Sequence, residues 1–403
     1  RTYDPETLVT TSTHTPGIEP TDYYYYNEGR LESVITGTRE TAFTYDTNGY
    51  LESVTGPGGR TTYFTNDRAG RVTRIDRPDG TGLEFVYDQN GNMIVLTNPS
   101  DVEHEFDYNA VDLKSAYIPP ISGSYSYVYD KDRRLIQKNF PSGNSIYLDY
   151  TNPSDPQDKS RLWQIQTPEG NIDYTYRCAN KVESLSRASE SITYGYDGKL
   201  VTSETLSGTL DQSLEYAYNN DFNPESFTYA GATRFYTYDR DGLLTGAGEF
   251  TISRYNNPGT NETGLPYNVA DTSLNLERTF NTYGETAGED TNVDGYDIYS
   301  WHVTDRYPDG KIKTKTETIS GNTDTFEYTY DQMGRLSTVT RNGTLVEEYT
   351  YDERPYGTRT YQVNTRRDIS GRSMDYDDED RLLSAGNADY QYDRDGFLES
   401  KTT

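Results

Sequence analysis

Short runs of alternating apolar and polar residues recur along most of the chain, separated by small polar turn segments. Residues 41–45, 84–87 and 325–330 are three such runs, and each is rich in Tyr, Thr, Phe and Val. These residue types suit a half-buried pleated strand, and alternation with a period of two is the strand pattern. Helical periodicity is essentially absent, so the sequence predicts an all-β protein.

A recurring motif closes these runs, with the pattern Y-D-x-x-G-x-L. An Asp side chain can bond to the backbone of a turn, and Gly supplies the positive φ that a tight turn needs, so the motif predicts a hairpin turn. Good copies begin at Tyr45, Tyr87, Tyr238, Tyr330 and Tyr392.

The spacing of two independent markers shows that the motif belongs to a repeat of about 21 residues. The motif positions Tyr45, Asn66, Tyr87, Tyr108, Tyr129 and Tyr150 are each 21 apart, and so are Pro57, Pro78, Pro99, Pro120 and Pro141. Both markers shift together across residues 151–160. Each repeat therefore holds two turns and two strands. Because an isolated hairpin is marginal, we expect tandem hairpins to pair edge to edge into a long curled or spiralling sheet, a shell- or barrel-like solenoid.

The domain organisation follows from the repeat. We expect residues 1–403 to form one continuous repeat segment, with an irregular insertion at about 256–308, where the Tyr markers leave the 21-residue period.

The repeat resembles a known family. Y-D-x-x-G-x-L at this period is similar to the YD repeat of Rhs proteins, of the C components of bacterial Tc toxins and of the teneurin shell, and the resemblance runs from Tyr26 to Leu398. It implies a ribbon of strands that spirals into a hollow shell, which either encloses a C-terminal payload or serves in cell-surface adhesion. The C-terminal core segment with a self-cleaving aspartyl site, found in payload-carrying members, is not seen here, so no cleavage residue is carried over.

Composition and charge narrow the remaining classes of function. The chain has 40 Tyr, and hydrophobic residues make up only 32% of it with Tyr included, so tyrosines in register must supply much of the interior. The net charge of −28 disfavours nucleic acid and anionic membrane surfaces as partners. No apolar run is long enough to span a membrane. Cys178 is the single cysteine, which excludes an intrachain disulfide.

One acidic segment is a candidate metal site. Asp290, Asn292, Asp294 and Asp297 place oxygen atoms at spacings that resemble the start of a calcium loop, with a glycine at the turn. The bidentate acid expected at the twelfth position of an EF-hand is Trp301, so that loop type is not supported. A solvated acidic loop is the alternative reading of the same residues, and calcium is the one cofactor that the sequence suggests.

The function expected from the sequence is structural. No nucleophile, phosphate-loop or zinc-protease motif is found, so we expect no enzyme. We predict a shell segment of a larger secreted or cell-surface protein of bacterial origin, which scaffolds or encapsulates a C-terminal payload outside this sequence. The alternative is an extracellular adhesion module that binds a surface receptor or glycan, and that self-associates through its strand edges into a fibre.

Overall fold

The protein is built almost wholly from β-strands. The computed structural model describes residues 1–4, 9–154, 160–177, 181–255, 263–351 and 357–403. Their 38 strands belong to one sheet. Within these ranges the single helical element is the short 3-10 turn Thr365–Arg367. The prediction of an all-β protein is confirmed. No helix in the described part of the chain is long and apolar enough to cross a membrane. Cys178 lies outside the described residues.

The strands are short and follow one another with brief turns. In chain order they are Thr2–Tyr3 (β1), Thr10–Thr13 (β2), Thr21–Tyr25 (β3), Leu31–Thr36 (β4), Arg39–Tyr45 (β5), Leu51–Thr55 (β6), Thr61–Asn66 (β7), Val72–Asp76 (β8), Gly82–Tyr87 (β9), Met93–Thr97 (β10), Glu103–Tyr108 (β11), Lys114–Ile118 (β12), Tyr125–Tyr129 (β13), Leu135–Asn139 (β14), Ser145–Asp149 (β15), Gln164–Thr167 (β16), Gly170–Arg177 (β17), Lys181–Arg187 (β18), Glu190–Asp197 (β19) and Leu200–Ser207 (β20). The rest are Gln212–Tyr218 (β21), Pro224–Tyr229 (β22), Ala232–Tyr238 (β23), Leu244–Ala247 (β24), Phe250–Arg254 (β25), Pro266–Ala270 (β26), Leu274–Phe280 (β27), Thr286–Val293 (β28), Tyr296–Arg306 (β29), Ile312–Ile319 (β30), Asn322–Tyr330 (β31), Leu336–Arg341 (β32), Thr344–Tyr351 (β33), Arg359–Asn364 (β34), Ile369–Tyr376 (β35), Leu382–Ala385 (β36), Ala388–Tyr392 (β37) and Leu398–Thr402 (β38).

Consecutive strands pair antiparallel, as tandem hairpins require. In the pair β5–β6, Phe43 lies opposite Val54 and Tyr45 opposite Leu51, and the register shifts between Thr44 and Tyr45. The same shift precedes the motif tyrosine in many other hairpins, for example β9–β10 and β31–β32. An extra residue in one strand bends the pair and increases its twist, so each repeat carries a built-in bend beside its turn.

The interior is thin. Strands such as β17 and β21 alternate half-buried and exposed residues along their whole length. The most buried apolar side chains are Phe326 and Val339, with 2% and 3% of their surface exposed, and no large side chain in the described part of the chain is completely enclosed. One face of the sheet is therefore only partly shielded from solvent, and half-buried tyrosine side chains provide much of that shielding. This arrangement explains how a chain with few aliphatic residues folds.

Contacts between residues divide the chain into two compact units. The first contains Arg1–His104, Ile252–Gln391 and Leu398–Thr403, and the second contains Glu105–Thr251 and Tyr392–Phe397. That the whole chain acts as one continuous segment stays a prediction. Of the predicted irregular insertion, residues 256–262 lie outside the described residues. From β26 to β29 the chain continues as paired hairpin strands, and β29 alone has 11 residues. The repeat lengthens there, and the hairpin persists.

Candidate functional site

The Tyr-Asp turn is held by the side chain of its aspartate. Asp46 Oδ1 accepts hydrogen bonds from the amides of Asn48 at 2.8 Å and Tyr50 at 2.9 Å, while Gly49 donates to the Asp46 carbonyl at 2.9 Å. Gly49 has φ +88°, a backbone conformation that costs glycine little. One carboxylate thus satisfies two turn amides, which explains the Asp and the Gly of the motif.

Asparagine can replace aspartate in this turn because only an acceptor oxygen is needed. Asn109 Oδ1 accepts from the amides of Val111 and Leu113 at 3.0 and 3.1 Å. Asn219 and Asn281 make the same pair of bonds. The copies of the motif at Asn109, Asn219 and Asn281 are therefore turns of the same geometry.

The motif tyrosine links each hairpin to the preceding one. The hydroxyl of Tyr45 donates to the Leu31 carbonyl at 2.9 Å, and that of Tyr87 donates to the Val72 carbonyl at 2.8 Å. Leu31 and Val72 are the last residues of the preceding motif. The first and last positions of Y-D-x-x-G-x-L thus meet in neighbouring repeats, and the hydroxyl distinguishes Tyr from Phe at this position.

The basic residue just before the motif leucine contacts both the aspartate of its own turn and the tyrosine of the next motif. Arg335 Nε donates to Asp331 Oδ2 at 2.6 Å, and its guanidinium lies 4.4 Å from the centre of the Tyr351 ring. A cation over a ring face is attracted by the ring quadrupole. Arg71 and Arg134 are placed in the same way, over Tyr87 and Tyr150.

In the first unit, turns from early hairpins pack on turns that come about 250 residues later. The early turns lie on the edge that carries the Pro markers, and the later turns lie on the Tyr-Asp edge. We call these contacts the turn seam. The pairs joined by hydrogen bonds are residues 37–39 with 281–285 and residues 57–60 with 307–311. Farther along, Asp79 lines one pocket with residues 331–335, and residues 98–102 line another with residues 374–380.

A bidentate ion pair lies in the first contact of the seam. Arg39 Nη1 donates to Glu285 Oε1 at 2.7 Å, and Nη2 donates to Oε2 at 3.1 Å. The Arg39 guanidinium also stacks on the Tyr283 ring, 3.7 Å from its centre. The hydrogen bond from Arg39 outweighs the opposing effect of burial and lowers the pKa of Glu285. Both side chains are at least two-thirds buried, where such pairs count for more than at an exposed surface.

The second contact of the seam is centred on Asp309. Its side chain is only 9% exposed and pairs with Arg60 from the early turn and with Lys311 of its own turn. Burial opposes ionisation of this carboxyl group, but hydrogen bonds from Lys311 and Arg60 outweigh burial and lower the pKa of Asp309 to about 2. Asp309 therefore stays ionised at any ordinary pH.

The second unit has a contact of the same kind. Ser142, in a Pro-marker turn, donates from its amide to Asp395 Oδ1 at 2.7 Å and from its hydroxyl to Oδ2 at 2.6 Å. The Tyr125 hydroxyl donates to the Asp395 carbonyl at 2.9 Å. Asp395 lies inside a Tyr-Asp turn and is 8% exposed. A Pro-side turn again meets a Tyr-Asp turn, here 253 residues apart.

The predicted calcium residues lie on the hairpin of β28 and β29. Asn292 Nδ2 donates to Asp297 Oδ1 at 3.1 Å, Asp290 Oδ1 lies 3.1 Å from His302 Nε2, and Asp294 occupies the tip with φ +52°. The described residues contain no group of three or more His, Cys, Asp or Glu suited to a metal ion. Calcium binding by Asp290, Asn292, Asp294 and Asp297 stays a prediction, and a lower melting temperature after adding EGTA is its test.

Comparison with known proteins agrees with this architecture. The family model for the Teneurin YD-shell matches residues 1–403. Teneurin-3 of Danio rerio is 22% identical over 308 residues, which are 72% of this chain and 11% of that protein. The chain thus spans about a tenth of the length of the curated relatives it matches.

Two solved structures show the same fold. The crystal structure of TcdB2-TccC3-TEV has a TM-score of 0.62 at 12% identity and covers 95% of this chain and 26% of that one. TcdB2-TccC3 without its hypervariable C-terminal region has a TM-score of 0.57 at 12% identity, with 94% and 25% covered. At this identity the likeness concerns the fold alone.

Proposed function

The chain belongs to the teneurin YD-shell family, and we propose that it is a non-enzymatic shell segment of a larger secreted or cell-surface protein, which encloses another part of the same polypeptide. The observation that carries this proposal is the turn seam. The paired hairpins form a ladder, and turns on its Pro-marker edge contact turns on its Tyr-Asp edge about 250 residues later. Side-chain bonds between the two edges can hold the ladder as a continuous wall.

The thin interior supports the same function. Few side chains of the described residues are fully buried, so the half-buried face of the sheet leaves tyrosine and apolar surface that another segment can cover. TcdB2-TccC3, which is similar in fold, has a hypervariable C-terminal region. We propose that a segment outside this sequence plays a corresponding part here and lies against the half-buried face of the sheet.

Limited proteolysis of the native polypeptide tests enclosure. Cleavage sites are mapped by mass spectrometry, first on the wild type and then on a variant with Arg39→Gln and Asp309→Asn, which removes two seam contacts. We expect the enclosed segment to be protected in the wild type and cut faster in the variant. The pair Arg74→Gln and Glu84→Gln, which removes an exposed ion pair between neighbouring strands, is the control and should leave protection unchanged. Equal cleavage of all segments in the wild type would contradict the proposal.

Adhesion is the second candidate, and exposed aromatic side chains favour it. Tyr63, Phe235 and Tyr296 have 54%, 62% and 75% of their surface exposed, and rings of this kind are common at protein interfaces. If adhesion is the function, substituting these rings with Ser should abolish capture of cells by the immobilised chain and leave the proteolysis pattern unchanged.

A further inference from the structure

One turn of the second unit carries a phenylalanine where the motif has glycine. Phe222 occupies the glycine position of the copy that begins at Tyr218, and its φ is +63°. A bulky side chain is rarely found in this left-handed region, which costs glycine little. The turn is otherwise ordinary, since Asn219 Oδ1 accepts from the amides of Asp221 and Asn223 at 3.0 Å. The hairpin forms in spite of Phe222, so the fold alone does not account for the ring.

The ring of Phe222 also points into water. It is 72% exposed, the largest exposed fraction among the phenylalanines of the described residues. Backbone strain of this kind clusters at functional sites, and aromatic rings are enriched at protein interfaces. A residue that both strains its turn and leaves an aromatic ring in solvent is therefore typical of a docking residue. We call Phe222 the knob.

The second unit also contains an open pocket that can take such a ring. Its volume is about 360 Å³, and its lining includes Ile136, Tyr147, Leu148 and Tyr150. An apolar cavity of about 150 Å³ is already large enough to hold a benzene ring. The Arg134 guanidinium lies 4.4 Å from the centre of the Tyr150 ring and holds that wall in place, while Tyr147 is 45% exposed and leaves the pocket open to solvent. We call this pocket the socket.

The turns beside the knob and the socket carry opposite charge. The turn 130–134 at the socket has Lys131, Arg133 and Arg134 against two aspartates. The turn of the knob has Asp221 and no basic residue, and the adjacent turn 239–243 has two more aspartates against Arg240. Opposite charges across an interface favour docking and fix its register. A second copy of this chain therefore offers the knob both a pocket of sufficient size and a turn of the opposite charge.

The positions of the knob and the socket decide the form of the contact. The turns 130–134 and 219–223 and the end of β15 at residues 149–151 all follow odd-numbered strands, so they lie on the Tyr-Asp edge of the second unit. Two copies that face each other through this edge about a two-fold axis can make the same contact twice. We propose that the protein forms an isologous dimer through this edge, in which Phe222 of each protomer inserts into the socket of its partner. This interface goes beyond the proposed shell function and does not depend on it.

Analytical ultracentrifugation of the chain tests the dimer. We expect the wild type to shift from monomer to dimer as its concentration rises through the micromolar range, because two small contacts make a weak interface. Phe222→Gly restores the motif residue, so it should raise the midpoint of urea denaturation and yet weaken the dimer by about tenfold or more. A variant that is more stable but associates less separates docking from folding. The control is Phe235→Ser, which removes another exposed ring of the same unit and should dimerise as the wild type does.

A variant of the socket tests the reciprocity of the contact. Tyr147→Ser removes an exposed wall of the socket and should weaken the dimer as Phe222→Gly does. An equimolar mixture of these two variants should associate more than either variant alone, because the mixed pair keeps one intact knob and one intact socket. A wild type that stays monomeric at every concentration, a dimer that Phe222→Gly leaves unchanged, or a mixture that associates no more than its components would overturn the proposal.

Discussion

At the scale of the residue, the abundance of tyrosine has a specific cause. The ring partly covers the thin interior, and the hydroxyl donates to the backbone of the preceding repeat, for example from Tyr351 to the Leu336 carbonyl at 2.9 Å. Where the motif has Asn66 instead, the amide Nδ2 donates to the Leu51 carbonyl at 2.8 Å. The position therefore requires a donor as much as a ring, which is why tyrosine is so common in a chain with only 12 Phe.

Removing one such hydroxyl should loosen two neighbouring hairpins. Tyr87→Phe keeps the ring but leaves the Val72 carbonyl without its side-chain donor, so we expect a loss of about 1 kcal/mol in unfolding free energy. Hydrogen–deuterium exchange of the amides in β8 and β9 measures this locally. The control is Tyr63→Phe, since Tyr63 is 54% exposed, and it should leave exchange unchanged. Equal exchange in the two variants would show that the hydroxyl at position 87 contributes nothing.

At the scale of the element, the hairpins were predictable from sequence because their causes are local. The Asp46 turn depends on residues within four positions, and the 21-residue period repeats that local signal many times. The longer strands between Pro266 and Arg306 still pair as hairpins, although the sequence there leaves the 21-residue period. No residue pattern in the sequence marks the register shift that precedes many of the motif tyrosines.

A pair of glycines within one turn isolates the cost of backbone conformation. Gly59 has φ +73°, Gly56 does not have a positive φ, and a methyl group would meet nothing within 4 Å at either position. We therefore expect Gly59→Ala to lower the unfolding free energy by about 1 kcal/mol because of strain. Gly56→Ala, the matched control, should be neutral or slightly stabilising. Urea denaturation compares the two variants, and equal midpoints would contradict this account of the turn.

At the scale of the whole molecule, the seam could not be predicted from sequence. Which turn meets which depends on twist accumulated over about a dozen hairpins, and a small change in twist per strand would move the contact to another turn. Arg39 and Glu285 lie 246 residues apart with no local motif that pairs them.

The ion pair between Arg39 and Glu285 should show measurable coupling. A double-mutant cycle with Arg39→Gln and Glu285→Gln removes the contact between distant turns, and we expect a coupling energy of about 1–2 kcal/mol from urea denaturation, because the pair is bidentate and largely buried. The control cycle, Arg74→Gln with Glu84→Gln, concerns an exposed pair on neighbouring strands and should show no coupling beyond error. A coupling energy between Arg39 and Glu285 as small as that of the control pair would mean that these turns meet without stabilising each other.

Acid should weaken the seam through Asp309 and Glu285. The pKa of Asp309 is about 2 in the folded protein, against an ordinary value of 3.8, so the folded state favours the ionised form. Its contribution to stability is complete above about pH 5 and is lost as the pH falls through 4 and 3 toward 2, and Glu285 acts in the same direction. A shift of this size corresponds to about 2 kcal/mol. Melting temperatures of the wild type and of Asp309→Asn, measured from pH 7 to pH 2, should differ most at pH 7 and converge near pH 2. A difference that stays constant across this range would mean that the Asp309 carboxylate does not hold the two turns together through its charge.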